Sequence, residues 1–363
     1  MATKRTGISY DLLIHPGETI ADILVERGIT QAELAASTGV TPAYVSNIIA
    51  GKKDISAKFA FALEYALGVP KSFWLNLQAN YDAELLELNE NQTITDEERV
   101  ARNELRDVVK YLRKIGKMPL KESVDASVLS LRKALQIRDI SALKEMIPQG
   151  AFRMSTKSAV NSYVLGAWIR LCQIVGERRT VKGKFVPETV NDLVKELKNV
   201  MVNPEASVQA ELQNIMGQHG IDFAVVQNFK GAPVQGYISR KQDGAYQMCV
   251  TICGSYADIF WFSVFHEIGH IVNGDISKTI KFIDDGSDDE REKAADLFAS
   301  NCLMQESAYD EFLKQGDFGI EAIKLFAKQQ NVMPYIVIGR LQKEKYLDYK
   351  CYSDYKIRYK WAE

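Results

Sequence analysis

The N-terminal segment carries short runs of apolar positions with helical spacing, each bounded by residues typical of helix ends. Pro16 and Gly28 predict the bounds of the first helix, because proline suits a first helical turn and glycine suits a C-terminal stop. Thr30 and Glu33 form a capping-box pattern, and Thr41 predicts a further helix start. The segment is therefore predicted to be a compact all-helical unit of about five helices.

Beyond this unit the hydrophobic pattern changes twice. A polar stretch from Asn89 to Glu98 loses the apolar rhythm, and helical spacing then returns up to about Gly217. Three short β-prone runs separated by turn residues follow, before helical spacing resumes at about Ala257. The predicted fold is mostly α with a small antiparallel β-sheet (α+β). The predicted segments are 1–88, 89–217 and 218–363.

Composition narrows the class of protein. With 363 residues, 46% of them hydrophobic and 25% charged, the chain is expected to be an ordinary multi-domain globular protein. A net charge of −2 excludes a broadly basic nucleic-acid coat, although a local DNA-reading surface remains possible. No apolar stretch reaches the ~18 residues of a membrane helix, so no membrane partner is expected. Lys4 and Arg5 are not followed by an apolar signal core either, so a cytoplasmic location is expected. The five cysteines are scattered, which predicts buried reduced thiols.

The stretch from His266 to His270 reads His-Glu-Ile-Gly-His and carries the clearest chemical signal. On a helix, residues four apart share one face, so both imidazoles can bind one Zn²⁺ with Glu267 beside it. The alternative is a core helix with two hydrogen-bonded histidines. Glu292 can supply a third ligand while Asp296, one turn later, orients a ligand histidine. On spacing alone, these two acids could equally belong to a solvated face.

Residues 257–270, together with the pattern Glu-x-x-Ala-Asp-x-Phe-Ala that begins at Glu292, resemble the ImmA/IrrE family of zinc metallopeptidases. The resemblance covers about residues 220–345 and implies a zincin-like metallopeptidase domain at 218–363. Family members typically cut helix-turn-helix repressors, so the implied activity is that of an endopeptidase on a regulatory protein. The resemblance implies Zn²⁺ as cofactor, with these site residues: His266, His270 and Glu292 as ligands, Asp296 as the orienting carboxylate and Glu267 as the catalytic base.

The implied peptidase chemistry also requires a general base, a donor to the oxyanion and a surface that binds the substrate. Glu267 would take a proton from metal-activated water and return it to the leaving nitrogen. A donor to the oxyanion is also needed, and spacing does not choose among Tyr256, Tyr309 and His219. The predicted strand at 236–239 could pair with an extended substrate through its edge, unless a loop covers that edge. The acidic run that ends at Glu290 is expected to be an exposed loop, with a second metal site as the alternative.

Two short helices are predicted between Gln31 and Ala50, with Gly39 in the turn, which is typical of a helix-turn-helix motif. The alternative is an ordinary helical hairpin. Residues 10–80 resemble the HigA-like branch of repressor-type helix-turn-helix antitoxins, which implies a DNA-binding domain at 1–88. The helical segment at 89–217 is then a linker or scaffold. The implied DNA-facing residues are Thr41, Ala43, Tyr44, Ser46 and Asn47 at the recognition helix, and Gln31, Lys52, Lys53 and Lys58 towards phosphates.

The predicted recognition helix, Pro42 to Ala50, contains no arginine or lysine, and the first 80 residues carry seven basic and seven acidic side chains. A monomer with that surface binds DNA weakly, so a homodimer reading two half-sites of double-stranded operator DNA is expected. Docking of a partner toxin or a substrate repressor is the alternative. The expected function is a cytoplasmic regulator that combines DNA binding with a zinc endopeptidase. The alternative function is a non-enzymatic antitoxin or transcription factor, whose metallopeptidase fold serves as a sensor or partner-binding platform.

Overall fold

The computed structural model describes residues 13–147, 160–177, 179, 181–204, 207–252, 256–276, 282–283 and 290–360. Contacts within the chain define two units. The first comprises Met1–Asp96 and Ser123–Leu129, and the second Glu97–Glu122 and Ser130–Glu363. None of the described helices combines the length and the apolar character needed to cross a membrane.

The described part of the N-terminal segment is helical, as its capping signals predict. The helices are α1 (Pro16–Arg27), α2 (Gln31–Thr38), α3 (Pro42–Ile49), α4 (Ala57–Leu67) and α5 (Lys71–Glu90). The capping box of Thr30 and Glu33 is confirmed, since each side chain binds the backbone N–H of the other residue. Gly28 and Gly39 end α1 and α2 at φ values of 65° and 70°, a left-handed conformation that costs glycine little.

The start of α1 packs tightly against the end of α3. A Cβ atom on Gly17 would lie 2.0 Å from the carbonyl oxygen of Ile48, so only glycine permits this approach. Ile20, Val45 and Ile48 are fully buried in the core that these helices share. Close packing therefore fixes α3 against α1, while the opposite side of α3 remains at the surface.

The rest of the chain is also mainly helical. Its described helices are α6 (Asp96–Glu104), α7 (Arg106–Lys114), α8 (Val124–Leu135), α9 (Ala142–Glu145), α10 (Ser162–Glu177), α11 (Val190–Val202), α12 (Val208–Gln218), α13 (Ala257–Val272), α14 (Glu290–Leu303), α15 (Glu306–Gln315), α16 (Ile320–Gln329) and α17 (Pro334–Lys343). One hydrophobic core joins α11 to α17 with the sheet, and Phe223, Trp261 and Phe265 are among its largest fully buried side chains.

The sheet is mixed, so the prediction of an antiparallel sheet is wrong for its first strand. The strands are β1 (Ile221–Val225), β2 (Gly236–Arg240), β3 (Tyr246–Val250) and β4 (Phe282–Ile283), in the order β1-β3-β2-β4. β2 and β3 form an antiparallel hairpin, whereas β1 runs parallel to β3. The connection at 226–235 is long enough to carry the chain past β3, so β1 pairs on the outer side of the hairpin.

Both edges of β2 have a strand partner. β4 pairs with it antiparallel, with Tyr237 opposite Ile283 and Ile238 opposite Phe282. The prediction that β2 offers a free edge to a substrate therefore does not hold at these two positions. Two residues are too few to produce a recognisable alternation in sequence, which is why the pattern gave no sign of β4.

The prediction of buried thiols holds only in part. Cys172 and Cys249 are free and buried, but Cys351 is exposed. Cys253 lies outside the described residues.

Residues 356–359 pack across the start of α13. The Ala257 N–H, which has no partner within the helix, donates to the Ile357 carbonyl at 2.9 Å. Lys356 forms an ion pair with Asp258 at 2.8 Å, and the Trp261 indole N–H donates to the Tyr359 hydroxyl at 2.9 Å. This C-terminal strap, defined as residues 356–359, therefore caps and anchors the first turns of α13.

Candidate functional site

The predicted motif lies in the interior of the second unit. α13 carries His266, Glu267 and His270, whose exposed fractions are 3%, 0% and 0%. α14 crosses α13 closely because a Cβ atom on Gly269 would meet Ala295 Cα at only 3.1 Å. A larger residue at 269 would push the two helices apart. The small residues Gly269 of α13 and Ala295 of α14 thus allow the start of α14 to lie alongside the two histidines.

Three ligand atoms converge at this crossing. The Nε2 atoms of His266 and His270 lie 3.0 Å apart, and Glu292 Oε2 lies 3.0 Å and 3.7 Å from them. Tetrahedral nitrogen and oxygen ligands about 2.0–2.1 Å from zinc are separated from each other by roughly 3.3 Å. The spacing and the His₂Glu donor set therefore fit one divalent cation.

The other ring nitrogen of each histidine is held by a carboxylate. His266 Nδ1–H donates to Asp296 Oδ1, and His270 Nδ1–H donates to Asp275 Oδ2, both at 2.8 Å. These bonds fix the ring orientations and leave the Nε2 lone pairs directed at the convergence point, as metal-ligating histidines require. Asp296 is the residue that the sequence spacing predicted would orient a ligand histidine. Asp275 was missed, because its position just beyond α13 gives no periodic signal.

Charge at the site favours a cation. Burial alone would raise the pKa of Glu292, but hydrogen bonds and charge interactions with His266 and His270 outweigh it and lower the pKa to about 2. The Glu292 carboxylate is therefore ionised at neutral pH, which is the form that binds metals. Together with Glu267, Asp275 and Asp296, it places four carboxyl groups around two imidazoles.

Glu267 occupies space that a glycine provides. A Cβ atom on Gly236, the first residue of β2, would lie 1.6 Å from Glu267 Oε1. Any larger residue at 236 must therefore displace either the carboxylate or the strand. Sequence reasoning did not identify Gly236, because the contact joins residues 31 positions apart in different elements.

The three residues considered as donors to the oxyanion, Tyr256, Tyr309 and His219, each contact another residue. The Tyr309 hydroxyl donates to Glu344 at 2.8 Å, and the Tyr256 hydroxyl accepts a hydrogen bond from Arg358. His219 lies 3.6 Å from Glu196 Oε1. Within the described residues, none of these contacts reaches His266, His270 or Glu292. The acidic run at 284–289 lies outside the described residues, and Glu290 begins α14.

The predicted recognition helix presents a polar outer face. Thr41 caps α3 by accepting from the Tyr44 N–H at 3.2 Å. The exposed residues of α3 include Ala43, Ser46 and Asn47, whereas Val45 and Ile48 face the core. Gln31 is exposed at the first position of α2, where Glu33 of the capping box places a carboxylate at the same helix end. These residues therefore have the accessibility that the predicted DNA contacts require.

Tyr44 and Lys53 contact each other instead of extending independently from the surface. The Tyr44 ring packs edge-on against Phe59 at 5.1 Å, and Lys53 Nζ lies 4.4 Å from the centre of the same ring. Lys52 and Lys58 are exposed. Lys53 thus brings positive charge to a helix that has none of its own.

Replacing Asp275 with alanine is expected to lower zinc affinity about 10–100-fold, the usual effect of losing a carboxylate that orients a ligand histidine. Competition titration against a chromogenic chelator measures this affinity. Asp192→Ala, which removes an exposed carboxylate from α11, is the matched control and should bind zinc as the wild type does. Equal affinities for both variants would show that the hydrogen bond from His270 does not support metal binding.

Comparison with known proteins identifies the family of the N-terminal segment. A family model described as helix-turn-helix matches residues 20–74. Among solved structures, a protein from Nostoc punctiforme described as an antidote protein of a plasmid maintenance system is 35% identical, covering 23% of this chain and 97% of that one, with a TM-score of 0.20. An addiction module antidote protein of a HigA family from Coxiella burnetii is 31% identical, covering 23% of this chain and 96% of that one, with a TM-score of 0.21.

The antitoxin GraA is 32% identical, covering 23% of this chain and 95% of that one, with a TM-score of 0.22. A search of curated proteins finds no significant match to the chain. The family-model match at residues 20–74 shows that the N-terminal segment of the chain belongs to the helix-turn-helix family.

Proposed function

We propose that this helix-turn-helix protein is a transcriptional regulator whose second unit is a zinc-dependent endopeptidase acting on a regulatory protein. The observation that carries the proposal is the convergence of His266, His270 and Glu292 with both histidine Nδ1 atoms held by carboxylates. The donor set and the adjacent Glu267 match the arrangement in which zinc hydrolases position a general base.

In this proposal His266, His270 and Glu292 hold the ion, and Asp296 and Asp275 keep the two rings aligned. When bound, zinc supplies Lewis acidity that polarises a peptide carbonyl and makes water easier to deprotonate. Glu267 removes the proton from water and later delivers it to the amine nitrogen of the broken peptide bond. Its burial against Gly236 keeps the carboxylate in a fixed position for both proton transfers.

The N-terminal domain is proposed to direct this activity to operator DNA. The exposed residues Ala43, Ser46 and Asn47 form the face that would enter the major groove. Because α3 has no cationic residue, we propose that two copies bind two half-sites together, which doubles the phosphate contacts. The 31–35% identity of this segment to antidote and antitoxin proteins supports an antitoxin-like role with a toxin as partner.

Metal analysis of the purified full-length chain tests the zinc centre. The wild type is expected to carry about one zinc per chain, and His266→Ala is expected to lose at least about tenfold in zinc affinity, since two ligands remain. His219→Ala is the matched control, because His219 contacts Glu196 and Thr189 instead of the cluster. Failure of the wild type to bind zinc in vitro would contradict the proposal.

The burial of the site favours a second candidate function. Glu267 and His270 are 0% exposed and Glu292 is 6% exposed, so these side chains present almost no surface to a protein substrate, whereas a structural zinc site needs no access. In this alternative the chain is a non-enzymatic antitoxin or transcription factor, and zinc holds its second unit together as a sensor or partner-binding platform. The two candidates predict different effects of replacing Glu267.

A further inference from the structure

The second unit has a groove that is lined by none of the three candidate metal ligands, His266, His270 and Glu292. It has a volume of about 530 Å³ and is bounded by α12, by β1 and by the described residues Arg179, Val181 and Lys182. Pockets that hold small organic molecules usually measure about 300–1,000 Å³. The groove is therefore large enough for a metabolite-sized ligand.

Contacts to neighbouring strands hold one arginine of this groove in place. The Arg179 guanidinium donates to the Phe223 carbonyl at 2.9 Å, and its own carbonyl accepts a hydrogen bond from Lys241. Lys241 also donates to the Gly176 carbonyl at 2.9 Å. Arg179 is thus fixed at both its main chain and its side chain, although 37% of the side chain remains exposed. A ligand would bind this arginine without first having to order it.

Charge in the groove is positive after internal pairing. Asp222 is buried and forms an ion pair with Lys241 at 3.1 Å, so these two opposite charges cancel. Arg179 also pairs with Asp222 at 3.6 Å, and Arg179 and Lys182 both line the groove. Three cationic side chains around one carboxylate therefore leave a net charge of +2 at this wall. Within the described residues, Lys182 is exposed and has no ion-pair partner. A phosphate monoester, with a charge of about −1.5 to −2 at pH 7, matches this excess.

The α12 residues that line the groove supply hydrogen-bonding groups. Gln213, Asn214 and Gln218 of α12 line the groove, and the Gln218 amide donates to Asn214 at 3.4 Å. Amide side chains both donate and accept, so they suit the hydroxyl groups or ring nitrogens of a polar organic molecule.

We propose that this groove binds a small phosphate monoester, with Arg179 and Lys182 on the phosphate and the α12 amides on the organic part. Arginine offers a planar fork of donors that pairs with two phosphate oxygens, and lysine adds a point charge. The site is independent of zinc and gives this regulator a place to sense a metabolite.

Isothermal titration calorimetry of the full-length chain tests the proposal with AMP, and with adenosine as the same molecule without phosphate. AMP is expected to bind at least about tenfold more tightly than adenosine, because charge-assisted hydrogen bonds are the stronger kind. Lys182→Gln is expected to weaken AMP binding about tenfold. Lys184→Gln removes the same charge from an exposed residue that does not line the groove, and should change the affinity less than about twofold.

A further titration on the His266→Ala variant separates this site from the metal centre, and AMP binding is expected to persist there. Three results would overturn the proposal. They are no AMP binding by the wild type, equal binding of AMP and adenosine, and equal losses in Lys182→Gln and Lys184→Gln. Loss of AMP binding in a His266→Ala variant that keeps the wild-type circular dichroism spectrum would also overturn it, by assigning the phosphate to the metal.

Discussion

Replacing Glu267 with glutamine is expected to slow peptide-bond hydrolysis about 10²–10⁴-fold, because general acid–base catalysis contributes a factor of that size. Zinc content should stay unchanged, since glutamine is almost the same size and Glu267 is not one of the three converging ligands. The measurement combines metal analysis with mass spectrometry of cleavage products from a complex peptide mixture. If the cleavage rate falls while the zinc content stays the same, the Glu267 carboxylate takes part in the chemical step and not in metal binding.

Glu306→Gln provides the matched control, since it makes the same substitution at an exposed position of α15. It is expected to cleave at the wild-type rate. Equal cleavage by Glu267→Gln and the wild type would exclude Glu267 as the general base. No cleavage by any form, with zinc bound in all of them, would favour the non-enzymatic regulator.

Replacing Gly236 with alanine is expected to reduce hydrolysis at least about 10²-fold, since displacing a general base forfeits most of its contribution. The new methyl group would lie 1.6 Å from Glu267 Oε1, far inside van der Waals contact, so the carboxylate must move. The three ligands are on α13 and α14, so zinc should remain bound. Kinetics on the zinc-loaded protein, with metal content measured in parallel, check both parts.

Two further variants show whether Gly236 acts through Glu267. Gly217→Ala, where the nearest atom is 3.7 Å away, introduces the same methyl group without a clash and should leave hydrolysis unchanged. Glu267→Asp shortens the carboxylate and relieves the clash. If the two positions are coupled, adding Gly236→Ala to Glu267→Asp should cost much less than Gly236→Ala costs alone. Strictly additive losses would indicate a general disturbance of β2.

The helices of the N-terminal domain could be predicted well because their signals are local. The hydrogen bonds of the Thr30–Glu33 capping box and the left-handed turn at Gly39 involve residues a few positions apart. The i, i+4 spacing of His266 and His270 is local in the same way. Spacing alone left Glu292 undecided between a ligand and a solvated face, since the crossing of α13 and α14 at Gly269 is not encoded within either helix.

What the sequence did not predict depends on contacts between distant segments. The parallel pairing of β1 with β3 follows from the path of a connecting segment, and β4 is too short to have a pattern. Asp275 matters only because His270 turns towards it, and Gly236 only because β2 passes beside Glu267. Such residues carry no periodicity of their own, so a structure is needed to find them.

The C-terminal strap holds the first turns of α13 in place. Ile357 and Tyr359 bind Ala257 and Trp261, and the same helix carries both histidines further along. Proteolysis that detaches residues 356–359 should therefore loosen the helix that carries the histidines. Metal retention would then report whether this segment is still bound to α13.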